Sequence, residues 1–127
     1  MSTRCQIGFY RAGAKLDRYE ALIYKHHDGY PEGVLPLLTK FCKEFQAARG
    51  LDDVEYAAAQ YLYELILDVQ GPGPRDYPFF GISNAFHGDT LFYYAVYPDR
   101  IEVYEIPMAG VENYHKIQTI KLKGAKP

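Results

Sequence analysis

Leu91-Phe-Tyr-Tyr-Ala-Val-Tyr97 is seven consecutive residues of high β-propensity without a charge. On an exposed sheet edge such a run would template pairing with other chains, so it reads as an interior strand with a partner on each side. Outward from it, His87-Gly-Asp-Thr90 is a tight turn reached from a strand over 79–86 that Gly81 interrupts. Pro98-Asp-Arg100 turns the chain into a further strand over 101–106. Ile117, Ile120 and Leu122 do not alternate cleanly, so His115–Lys123 admits an extra C-terminal strand without requiring one.

The N-terminal half supplies the remaining layers. Cys5, Ile7 and Phe9 alternate with Gln6, Gly8 and Tyr10, the pattern of a half-buried strand, and 19–26 forms a second strand that pairs with it as a hairpin. Two helices follow. Val34, Leu38, Phe41, Phe45 and Ala48 repeat at helical spacing, with Pro36 in the first turn and Gly50 at the stop. Val54, Ala57, Ala58, Tyr61, Leu62, Leu65 and Val69 define the second, which the Gly71-Pro-Gly-Pro74 run ends. Lys40, Lys43 and Arg49 against Glu44 leave residues 34–50 at +2, while five acids and no cation leave residues 52–70 at −5. The fold class is α+β: a mainly antiparallel sheet of about five strands in the order ββααβββ, with two antiparallel helices on one face. The other face then carries tyrosines from several strands, Tyr93 and Tyr97 on the same side.

Composition narrows the function. The 127 residues make a single domain, 1–127, and 48% hydrophobic against 24% charged residues excludes wholesale disorder. No apolar run approaches the ~18 residues of a membrane span, and no signal-peptide core opens the chain. A net charge of −2 and a pI near 6.1 argue against double-stranded DNA as a partner. Two separated cysteines, Cys5 and Cys42, read as buried hydrophobes in a reducing, cytoplasmic setting. The 13 tyrosines favour interfaces, because Tyr has an apolar body and a polar tip.

Two clusters carry chemistry-bearing residues, His26-His-Asp-Gly-Tyr-Pro31 and His87-Gly-Asp89. His beside Asp can orient a polar ligand or act as a general base. Asp-Gly and Gly-Asp are equally turn chemistry. With strands running alternately up and down, the clusters fall at opposite ends of the sheet and form separate sites, unless a crossing of the Gly71–Pro78 loop or a second subunit brings them together. No metal-ligand spacing, phosphate-cradling Gly loop or activated Cys is present, so no cofactor or metal is implied.

Thr3-Arg-Cys-Gln-Ile-Gly-Phe9, Tyr24-Lys-His-His-Asp-Gly-Tyr-Pro-Glu-Gly33, Gly50-Leu-Asp-Asp53 with Tyr56-Ala-Ala58, and His87-Gly-Asp89 before Tyr93 form a combination. It resembles a group of small uncharacterised proteins of bacteria, archaea and their phages or prophages. The resemblance covers most of residues 3–104 and implies a cytosolic, mobile-element setting, including a counter-defence role, without an activity to carry over.

The expected function is a non-enzymatic, self-associating binding protein, with a dimer as the first form. It takes a partner protein or a small anionic, nucleotide-like ligand at Arg4, Lys25, His26, Asp28 and Tyr30, with His87 and Asp89 as a second candidate cluster. Two alternatives remain. One is a small hydrolase or phosphodiesterase with His26 or His87 as base and Asp28 or Asp89 as its orienter. The other is single-stranded RNA binding on the tyrosine face.

Overall fold

The computed structural model describes residues 3–69 and 79–122; the Gly71–Pro78 connection and the basic residues beyond 122 lie outside them. Strands β1 (Cys5–Phe9) and β2 (Ala21–Lys25) form the expected antiparallel hairpin. Helices α1 (Pro31–Ala48) and α2 (Val54–Val69) follow, then β3 (Phe80–Ile82), β4 (Phe92–Tyr97), β5 (Arg100–Glu105), a 3₁₀ turn over Val111–Asn113, and β6 (His115–Lys121). Pro31 takes the first helical turn, so α1 starts earlier than its apolar spacing predicts. Gly50, at φ +87°, closes it with its N–H directed back at the Phe45 and Gln46 carbonyls.

The sheet has six strands in the order β3-β2-β1-β4-β5-β6. The fold is α+β as expected, and β4 is interior, between β1 and β5. The sheet is mainly antiparallel, as expected, and its strand count and order differ from the expectation in two details. The C-terminal stretch is a full edge strand, making six strands rather than five. The sheet is also mixed, because β4 runs parallel to β1, pairing Cys5 with Phe92 and Val96 with Phe9. β4 is therefore not the hairpin partner of β3, and the chain must travel back across the sheet between Ile82 and Phe92.

Both faces of the sheet are packed. On one, Cys5, Ile7 and Phe9 of β1 and Tyr94 and Val96 of β4 meet the inner stripes of α1 and α2, with Leu38, Cys42, Ala57 and Tyr61 fully buried. On the other, Tyr10, Tyr93 and Tyr97 are buried beneath Leu16, Tyr19, Phe86 and Tyr114 from connecting segments. The tyrosine face is thus a second core rather than an open surface, which removes the platform that base stacking or a tyrosine-lined dimer interface required. Among the described residues, no helix is long and apolar enough to cross a membrane.

Candidate functional site

The return path from β3 to β4 builds the site. β3 stops at Ile82 because Ser83-Asn84 is turn chemistry, and the Ser83 N–H makes a last bond to the Leu22 carbonyl. The chain then crosses the outer face, where the fully buried Gln6 pins it: Oε1 accepts from the His87 N–H at 2.9 Å and Nε2 donates to the Ala85 carbonyl at 3.1 Å. Leu91 closes the crossing by donating to the Arg4 carbonyl, at the start of β1. His87 and Asp89 are thereby delivered to the end of the sheet where β2 delivers His26. The expectation of separate clusters at opposite ends is corrected. It assumed a strand through Phe86, whereas β3 is three residues long.

Tyr24 joins the two segments. Its hydroxyl lies 2.7 Å from His26 Nδ1, and its ring stacks on His87 with centroids 4.7 Å apart. Arg4 Nε donates to the same His26 nitrogen at 3.3 Å, and its NH1 lies 3.7 Å from Asp89. Burial raises the Tyr24 phenol, only partly offset by the Arg4 charge, so it stays protonated and donates. Desolvation, then the charges of Arg4 and His27, hold His26 below its usual range. A neutral His26 accepting two bonds at Nδ1 carries its proton on Nε2 and presents a donor there.

The other expected residues fare differently. Lys25 points to the helical face, 8% exposed, and its ammonium donates to the His27 carbonyl at 2.7 Å. It is a brace for the turn rather than a ligand contact, as strand parity between Tyr24 and His26 demands. Asp28 and Tyr30 satisfy each other, the Tyr30 hydroxyl donating to Asp28 Oδ1 at 2.9 Å. Asp28 sits at φ +56°, and its turn is held by Tyr94, whose hydroxyl donates to the Gly29 carbonyl at 2.6 Å. Tyr24, Gln6 and Phe79 were missed as site residues, although the shared parity of Tyr24 and His26 was a readable signal.

The corner is open and apolar at its margins. Phe79, 65% exposed, lies 5.6 Å from the His26 ring and 5.3 Å from that of His27. Leu91, whose N–H bonds the Arg4 carbonyl, is 49% exposed. In the second cluster His87 Nδ1 stands 3.9 Å from Asp89, beyond hydrogen-bond range, so these two do not form a base–orienter pair. Among the described residues no three His, Cys, Asp or Glu side chains are grouped to hold a metal ion. No protein-family model, curated protein or solved structure matches the chain.

Proposed function

We propose that this is a non-enzymatic binding protein that engages a partner protein through the corner formed by Arg4, Tyr24, His26 and His87. The observation that supports this reading most is the convergence of three separate chain segments on one solvent-open corner. Arg and aromatic side chains, the types that dominate binding hot spots, stand there beside exposed Phe79 and Leu91. The corner is held by buried Gln6 and Tyr94, so it is pre-organised and loses little entropy on binding. Such a role suits the cytoplasmic, phage or prophage setting and the counter-defence role that the sequence resemblance implies.

Affinity capture by the immobilised protein, with the captured protein identified and its affinity measured, tests this. Arg4→Ala and His87→Ala should each weaken that complex at least about tenfold, the loss of one hot spot. Arg11→Ala, on the opposite end of β1, should leave it unchanged. Equal binding by all three variants would remove the corner from consideration.

A second reading takes a small anionic, nucleotide-like ligand at the same corner. It is favoured by the Arg4 guanidinium, which is held on the His26 ring through Nδ1, with the exposed His87 ring as a stacking surface. Mass spectrometry of small molecules released on denaturation separates it from the first. For the hydrolase alternative, the His87–Asp89 pair stands at 3.9 Å, longer than a base–orienter hydrogen bond.

A further inference from the structure

We infer that copies of this chain associate head to tail, the acidic outer stripe of α2 in one copy docking into the groove between α1 and β6 of the next. The inference is independent of the corner just described. α2 carries two apolar stripes. Val54, Ala57, Ala58, Tyr61 and Leu65 are buried against the sheet. Tyr63 and Leu67, 55% and 50% exposed and four residues apart, lie on the outward side in line with Tyr56, whose ring also meets Arg49 at 4.5 Å and Phe45 at 5.8 Å. Asp52, Asp53 and Glu64 flank that outward stripe, and among the described residues no ion pair neutralises them.

The chain offers a complementary surface elsewhere. A groove of about 680 Å³ runs between α1 and edge strand β6, floored by Leu35, Pro36 and Ile120 and bordered by Lys40 and Lys43 with one acid, Glu32, so that its rim is net positive. An acidic helix with an apolar stripe is the shape and charge such a groove takes. Within one chain the two surfaces lie on different sides of α1. The groove uses the side bearing Leu35, Pro36 and Lys43, whereas Leu37, Phe41 and Phe45 line the side against Gln60 and Glu64 of α2, with Lys40 between the two. The contact is therefore heterologous, and repetition gives a ring or an open chain of copies.

The strong charge separation between the helices follows the same logic. Among the described residues the ion pair that α1 makes is internal, Lys40 with Glu44 at 3.6 Å, and none joins it to the α2 acids.

Sedimentation of the purified chain over a range of concentrations tests this. The expected result is a concentration-dependent rise in mass that falls back with added salt. Lys43→Glu and Glu64→Lys should each weaken association about tenfold, by turning an attraction into a like-charge contact. Mixing the two variants should restore it, because each junction then joins opposite charges again. Leu67→Ser, tested for an unchanged circular dichroism spectrum, should weaken association without altering its salt dependence. A monomer at every concentration would overturn the inference, as would association that both charge variants leave intact or a mixture that stays as weak as its components.

Discussion

The Tyr93 ring lies across Gly8, occupying the space that a Cβ at position 8 would need: such an atom would stand 2.9 Å from Tyr93 Cζ and 3.0 Å from Tyr10 Cε1. Gly8 faces the tyrosine core from β1, opposite Ala95 of β4, so the two small residues make the floor on which Tyr93 rests. The Tyr93 hydroxyl hydrogen-bonds Tyr10, whose own proton goes to the Leu16 carbonyl at 2.6 Å. This chain of bonds anchors the 10–20 connection over the sheet.

Gly8→Ala should therefore destabilise the fold by about 1–3 kcal/mol through overpacking, because Tyr93 is fully buried and has nowhere to move. Tyr93→Phe should cost about 1 kcal/mol, since Tyr10 keeps its bond to Leu16. The double variant should lose less than the sum, because Phe removes the hydroxyl nearest the new methyl. Urea unfolding of the four proteins measures the coupling; strict additivity would show that the methyl is accommodated elsewhere.

Part of the fold is legible in local pattern, although β3 is far shorter than the strand expected over 79–86. The uncharged 91–97 run requires neighbours on both sides, and β4 has them in β1 and β5. The parallel β1–β4 pairing could not be read, because residues so far apart in sequence leave no periodicity in common. The site divides in the same way. Alternation already puts Tyr24 with His26 on one face and Lys25 on the other, whereas the delivery of His87 depends on where β3 stops and on Gln6. The open tyrosine face failed because strand alternation says which residues share a side, not whether a connection such as 10–20 will cover it.

His26 should titrate below the ordinary 6.5, and its neighbours should move it in opposite directions. Desolvation and then Arg4 disfavour the imidazolium, while Asp89 favours it. Arg4→Gln should raise the His26 pKa and Asp89→Asn should lower it. Since the unfolded imidazole binds its proton more tightly, His26 leaves stability untouched at high pH. It subtracts stability as pH falls below about 6.5, and levels off below the folded value. NMR titration of the ring Cε1 proton follows this directly, and a His26 that titrates at or above 6.5 would contradict the Arg4 contact.

Cys5 and Cys42 should be inert in the native protein. Burial pushes both thiols up to about 12, with Lys25 offsetting it slightly for Cys5, so at pH 8 almost no thiolate exists and none is accessible. Labelling by an aromatic disulfide reagent should proceed only as fast as the chain opens, and both thiols should react at once in denaturant. Rapid native labelling of Cys42 would mean that α1 lifts from the sheet on its own.

Glu102 should support the acid side of the stability curve. It is 6% exposed on β5, yet it accepts from Tyr104 at 2.6 Å, Arg100 at 2.7 Å and Lys116 of β6 at 3.4 Å. Burial alone would raise its carboxyl; the hydrogen bonds from Tyr104 and Arg100, then the Arg100 and Lys116 charges, more than offset that and hold it below the usual range. A folded value below the unfolded 4.5 means a contribution that is complete above that pH and is lost as pH falls through the folded value. Glu102→Gln should cost about 1–2 kcal/mol at neutral pH, modest because Arg100 and Lys116 are partly solvated. The variant should also flatten the acid limb of a stability–pH profile measured by thermal unfolding. An unchanged acid limb would show that the Arg100–Glu102–Lys116 bridge between β5 and β6 holds no net charge preference in the folded state.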